Sequence, residues 1–345
     1  MKPALYFSHP ACLEHDPRVH SPGHPDTPER LETLEAALAQ ADWLDWERRQ
    51  APAARESQLQ LVHTPSHVQG IRELCQSGGG AIDADTFVGP ASYRAALHAA
   101  GGAVEMARTL SSGEARVGFC GVRPSGHHAE AARAMGFCLF NNVAVAAAAA
   151  IAEMGVARVF ILDWDVHAGN GTAEIFRGRA DVLFASIHQQ GLFPGTGPLR
   201  DAGSGAGEGY TLNLPVPEGS QEPLWLGLLE RVILPAAAAF QPQLVLISAG
   251  FDAHAADPLA GCELQSGSFV EMAIRARELA AAAGAPLGVV LEGGYNRAVL
   301  AECVCATLPA FAGSGSPRAG AGEPVGEAGR ILQAAIEQVA RYWPL

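Results

Sequence analysis

Four short clusters of polar residues carry the chemistry this chain could do. Two adjacent histidines close the turn Arg123-Pro124-Ser125-Gly126-His127-His128. Asp163-Trp164-Asp165-Val166-His167 supplies two carboxylates and an imidazole, and Ser248-Ala249-Gly250-Phe251-Asp252 one more acid. Leu291-Glu292-Gly293-Gly294-Tyr295 adds a phenol. Asp165 and His167, joined by Asp252 from another strand end, could hold one ion. Two carboxylates and one imidazole leave a coordination position for water, which is the arrangement of a catalytic rather than a structural zinc. The competing account, a buried ion-pair network, must find cations, and Arg158 is the only basic residue close by in sequence. The four clusters describe a hydrolytic metal site.

The remaining polar groups have supporting tasks. Asp163 is placed to stand behind the metal and orient one histidine by accepting its N–H, while Asn170 could orient the other without adding charge. A histidine held by a carboxylate is more basic than one held by an amide. His127 and His128 could therefore divide their labour, one electrostatic and one shuttling protons, and spacing leaves open which is which. If the strand through Asp163 continues to His167, then Asp163, Asp165 and His167 share one face and Trp164 and Val166 the other. Tyr295 follows two glycines that permit a sharp turn, and its phenol could donate to the oxyanion of a tetrahedral intermediate.

Positioning these groups requires an alternation of strands and helices. Ala4–Phe7 reads as an opening strand, followed by a loop with His9, His15, His20 and His24 whose irregular spacing argues for loop residues near the site's rim rather than ligands. Asp26-Thr27-Pro28-Glu29 starts a helix, with a capping residue and Leu31, Leu34 and Leu38 on one face. Apolar runs at 117–122, 159–162, 182–187, 244–248 and 288–291 alternate with helical stretches at 93–110, 142–154, 223–240 and 269–283. Strands apolar on both faces indicate a mostly parallel sheet covered by helices on each side. The candidate residues fall at strand C-terminal ends, where such sheets bind ligands. One domain over 1–345 is expected: a core of about 4–312, a loose segment at 313–326 and a final helix at 329–341.

A formal net charge of −13 argues against nucleic-acid binding through phosphates, which needs a basic face. Seven scattered cysteines without a Cys-x-x-Cys pair argue against a disulfide framework or thiolate metal site. The alanine-rich run 143–152 falls short of a membrane span, and the N-terminus lacks a signal-peptide core. The expectation is a soluble cytoplasmic protein, with no nucleic-acid or membrane partner and its oligomeric state open.

These residues, in this order, resemble the histone deacetylase superfamily, specifically class II-like deacetylases and bacterial deacetylase-like amidohydrolases. The resemblance is carried by 123–128, Met135-Gly136-Phe137-Cys138 with Asn141-Asn142, 161–172, Phe193-Pro194-Gly195-Thr196-Gly197, 248–252 and 291–296. It implies the arginase/deacetylase α/β fold and zinc-dependent hydrolysis of an N-ε-acetyl-lysine amide or a related acylated amine. On that resemblance Asp165, His167 and Asp252 are the zinc ligands, although ferrous iron suits the same donors. His127 pairs with Asp163, His128 with Asn170 as general base and acid, and Tyr295 is the catalytic tyrosine. Phe137 and Phe193 wall an acyl-lysine tunnel, Gly136 offers a carbonyl to the substrate amide, and Arg30 corresponds to an arginine near the acetate exit. The carbonyls of Asp163, Asp165 and His167, with Ser186 and Ile187, fit a structural potassium site. Ser125 and Ala168 depart from the proline and histidine usual at those positions, where adjusted loop packing is expected. Leu259 stands where polyamine-directed relatives place a gatekeeper acid and favours a lysine-type substrate. The alternatives are an acetylpolyamine or other small-amide hydrolase and, more distantly, a catalytically silent acyl-lysine reader, which predicts loss of a site residue that this chain retains. A bimetallic relative of the same fold would need metal ligands at Trp164 and Phe251.

Overall fold

The parallel arrangement anticipated from the apolar runs is present in full. The computed structural model describes residues 2–318 and 322–345. Its strands are β1 (Ala4–Ser8), β2 (Glu47–Gln50), β3 (Gly80–Ala81), β4 (Phe87–Val88), β5 (Val117–Cys120), β6 (Val159–Asp163), β7 (Val182–Gln189), β8 (Thr211–Val216), β9 (Leu244–Ala249) and β10 (Leu287–Leu291). Eight of them form one sheet in the order β2-β1-β5-β10-β9-β6-β7-β8, parallel at every pairing, while β3 and β4 make a small antiparallel ribbon. Every residue of β5, β6, β7, β9 and β10 is buried. Each large aliphatic side chain so enclosed contributes about 1.5–3 kcal/mol.

Helices flank this sheet. Ser92–Ser111 and Asn142–Glu153 pack on each other and over the central strands, both rich in alanine, which lets helices approach closely. Glu29–Gln40, Ser266–Ala282 and Arg297–Ala312 make a second helical group. Leu31, Leu34 and Leu38 are buried as their spacing requires. Among the described residues one stretch, Glu222–Phe240, is long and apolar enough to cross a membrane, and 61% of its apolar window is buried within the fold.

Several boundaries differ from expectation. Among the described residues the helix at Glu29 has no side-chain cap: its N-cap position is Pro28, and the Asp26 carboxylate is bound by Arg30 and Arg123. The final helix begins at Gly326, three residues early, and ends at Val339. Of the segment read as loose, 319–321 lie outside the described residues. Arg318 is tied to Glu271 and Glu222 by its guanidinium, so its end of the segment is anchored.

The order of the strands creates the site. The chain lays down β5 and β6 apart, and β9 and β10 later fill the gap between them. Loops leaving β5, β10, β9 and β6 therefore emerge side by side, bringing together residues numbered near 127, 165, 252 and 295. This is the crevice that ligands use in open parallel sheets.

Candidate active site

The strand through Asp163 stops there, so the expected alternation to His167 does not hold. The backbone instead turns on its own carboxylates. Asp163 Oδ1 accepts the Asp165 N–H at 3.1 Å, and Asp165 Oδ1 accepts the His167 N–H at 2.9 Å. The turn places Trp164 against Phe311 and brings the Asp165, His167 and Asp252 donor atoms within 4.8 Å of one another, all buried. Arg158 is not among their partners; its Nε donates to the Gln241 carbonyl.

Each carboxylate of this trio is oriented by backbone amides. Asp165 Oδ2 accepts from Gly293 N at 2.8 Å, and Asp252 Oδ1 from Val166 N at 2.9 Å. A Cβ at Gly293 would collide with Asp252 Oδ2, which is why glycine stands there. Asp252 Oδ2 lies 3.2 Å from His167 Nδ1, within ion-pair reach, and has no hydrogen-bond partner among the described residues. An orphaned carboxylate oxygen in a buried site is costly unless a cation meets it. Burial would lower the His167 pKa, but Asp165 and Asp252 outweigh it and push it up to about 10. The donor set, two carboxylates and one imidazole with one oxygen free, fits a divalent zinc-type ion.

The two histidines face different partners. His127 Nδ1 lies 3.1 Å from Asp163 Oδ2, and His128 Nδ1 lies 2.8 Å from Asn170 Oδ1. Asn170 Nδ2 donates to Glu130 Oε1 at 2.9 Å, and a carboxylate only accepts, so the amide oxygen must face His128. His128 Nδ1 therefore carries the proton and leaves Nε2 bare. For His127, burial works downward but Asp165 and Asp163 overcome it and raise the pKa well above 6.5. For His128, burial and the neighbouring His127 and His167 all push downward, leaving it well below 6.5. The rings touch at a centroid distance of 4.0 Å yet hold protons oppositely.

A histone deacetylase domain model matches residues 24–311. The chain is 40% identical over 294 residues to a histone deacetylase-like amidohydrolase of Pseudomonas aeruginosa, covering 84% of this chain and 77% of that protein. It is 39% identical over 318 residues to histone deacetylase 15 of Arabidopsis thaliana, covering 90% of this chain and 56% of that one. The crystal structure of the HDA15 HD domain superposes with a TM-score of 0.91 at 35% identity, covering 99% of this chain and 97% of that chain. This chain belongs to the histone deacetylase family.

The residues that the family resemblance assigns to a tunnel lie around the histidines. Met135 and Cys138 exchange backbone hydrogen bonds across Gly136 (φ 56°) and Phe137 (φ 66°), a two-residue turn that needs positive φ at both centres. This strained turn presents the Phe137 ring edge-on to Tyr295 at 5.8 Å. Phe193 meets His128 edge-on at 5.1 Å, and a Cβ at Gly136 would strike both rings. Tyr295 is held from two directions. Asp257 Oδ2 accepts its N–H at 2.7 Å, and the Arg30 guanidinium sits 4.7 Å from its ring centroid. Leu259 is half-buried, and its N–H donates to Asp257 Oδ1, the carboxylate whose other oxygen accepts from Tyr295 N. In the region proposed for potassium, β6–β7 pairing sets Asp163 beside Ser186, whose Oγ lies 2.9 Å from His188 Nδ1, with Ile187 buried.

Sequence reading missed a group that ties the elements of this site together. Glu292 is fully buried, and its carboxylate accepts from Gly126 N, His127 N and Ser248 Oγ, fastening the histidine loop to β9 and β10. Its position beside Gly293-Gly294 was the available signal. Of the loop histidines, His24 does reach the rim, its ring 4.5 Å from Phe137, whereas His15 is buried against Ser92.

Proposed function

We propose that the chain is a zinc-dependent deacylase that hydrolyses N-ε-acetyl-lysine amides. The observation that carries this reading is the buried Asp165, His167 and Asp252 trio with its free Asp252 oxygen, set beside a His128 whose Nδ1 faces the Asn170 amide oxygen and so leaves Nε2 to accept a proton. The chemistry a zinc ion held by Asp165, His167 and Asp252 would supply is Lewis-acid polarisation of the scissile carbonyl and acidification of a water. His128 Nε2 takes a proton from the attacking water as the new C–O bond forms. Tyr295 donates its O–H to the developing oxyanion. The C–N bond then breaks, and His128 returns its proton to the leaving amine, giving acetate and lysine. His127, charged and fixed on Asp163, stays protonated and stabilises negative charge beside it. Phe137 and Phe193 suit the apolar four-carbon lysine stem, with Gly136 offering its carbonyl to the amide N–H.

The test is turnover of an acetyl-lysine peptide beside acetylputrescine by zinc-loaded enzyme, with a hydroxamate as control. Peptide turnover abolished by the hydroxamate is the expected result. Preference for acetylputrescine would replace the lysine reading with a small-amide hydrolase, and turnover of neither would defeat the deacetylase assignment.

A further inference from the structure

Asp26 lies outside every role described so far, yet it is completely buried between two completely buried arginines. Its Oδ1 accepts from Arg30 Nη1 at 2.6 Å and from Arg123 Nε at 2.7 Å, and its Oδ2 from Arg123 Nη2 at 2.9 Å. Arg30 spends its other edges on the loop ahead of the tyrosine: Nε donates to the Gly294 carbonyl at 2.7 Å and Nη2 to the Glu292 carbonyl at 2.6 Å. The planar fork thus spans one carboxylate and two carbonyls, which a lysine could not reproduce. Glu292 cannot substitute for Asp26, because its own carboxylate is turned to Gly126, His127 and Ser248.

We propose that Asp26 is a positioning residue for Tyr295, acting through Arg30. It fixes the guanidinium that in turn fixes the carbonyls on either side of Gly293 and the face of the tyrosine ring. The inference rests on the reading of Tyr295 as oxyanion donor. Asn at position 26 keeps the size and one acceptor but turns an N–H toward a guanidinium donor, so the Arg30 fork loosens while the core volume stays filled.

The decisive experiment is a double-mutant cycle of Asp26→Asn with Tyr295→Phe, scored by kcat and KM on the acetyl-lysine peptide. Asp26→Asn alone should lower kcat about tenfold to a hundredfold, the effect of displacing one catalytic group, with KM within about threefold. In the Tyr295→Phe background it should cost less than about twofold, because the group it positions is gone. Equal losses in both backgrounds, or an unchanged kcat, would overturn the proposal. Should Asp26→Asn not fold, Arg30→Met carries the same cycle and leaves Asp26 paired with Arg123. Hydrogen exchange at 293–296 reads the link without activity: it should quicken in Asp26→Asn, and unchanged exchange refutes the link. The oxyanion reading fails separately, if Tyr295→Phe retains wild-type turnover.

Discussion

The site has an acidic side and a neutral side. At the ends of β6 and β9, Asp165 and Asp252 flank the imidazole of His167 with two carboxylates, and Asp163 adds a third that faces His127. Of the other group, His128 rests on the Asn170 amide with Glu130 behind it, and the acid beside Tyr295, Asp257, is spent on its backbone N–H. His127 and His128 are neighbours in sequence but face opposite sides. One holds its proton against the penalty of burial and the other cannot. Proton affinity is thus set by the partner at Nδ1 and the field beyond it, which a His-His dipeptide alone does not encode. The division suits hydrolysis: cation and fixed charge on one side, a proton acceptor and a neutral donor on the other.

Removing the acidic side should have the largest effect. Asp252→Ala deletes the free carboxylate oxygen and should abolish stoichiometric zinc binding. Turnover should fall at least about a thousandfold, the scale of several kcal/mol of lost charge stabilisation. Metal analysis after gel filtration, beside initial rates, checks both; a variant that keeps its zinc would show that the trio is not the ligand set. On the neutral side, Tyr295→Phe should retain zinc and fold yet lose about two to three orders of magnitude in kcat, as for other single oxyanion donors. If metal content and kcat fell together in this variant, the two sides would not be separable.

What was legible in the sequence follows the same division. Asp163 ends a uniformly apolar run and Asp252 follows another by three residues, so local pattern located the strands and the candidate metal ligands just beyond them. Asp26 was opaque because its partners Arg30 and Arg123 come from separate elements, and an Asp ahead of Thr-Pro-Glu reads locally as a helix cap. The edge strand β2, Glu-Arg-Arg-Gln, carries the charge that protects a sheet edge and therefore none of the apolar signal of a strand. In β8, Leu212, Leu214 and Val216 alternate correctly, but Pro215 demotes the run, and only its place at the opposite edge tolerates the proline. The turn from Asp163 to His167 shows the converse error: polar alternation imitates a strand when carboxylates cap the backbone N–H groups.

Transferring charge across the site tests the comparison more finely. Asn170→Asp gives His128 the kind of partner His127 has, so its pKa should rise and its base form recede at neutral pH. The acid limb of kcat/KM should move up by about one to two pH units, the usual effect of an adjacent carboxylate. The new carboxylate would also oppose Glu130, and Glu130→Gln should relieve that repulsion without reversing the pH shift. An unmoved acid limb would mean that a group other than His128 sets it.

The smallest effect concerns what the neutral side rests on. The loop from Glu130 to Asn141 carries Gly136 and Phe137, and His63 bridges its two ends. His63 Nδ1 lies 3.0 Å from the Glu130 carbonyl, and its Nε2 accepts the Asn141 N–H at 2.9 Å. Only the neutral ring can serve both, since a proton on Nε2 would face that N–H. Burial, reinforced by His67, lowers the His63 pKa to about 3. The unfolded chain takes up this proton near pH 6.5, while the native chain refuses it until about pH 3. The stabilisation from a neutral His63 is therefore complete above pH 6.5 and is lost as pH falls toward 3. One proton corresponds to about 1.4 kcal/mol per pH unit, or about 2 kcal/mol between pH 6.5 and 5. Urea unfolding of His63→Gln should show lower stability at pH 7 and a pH slope shallower by that amount. His15, His67, His128 and His188, whose pKa values burial also lowers, would contribute to the slope that remains. An unchanged slope would mean that His63 is not the group holding this loop in its uncharged form.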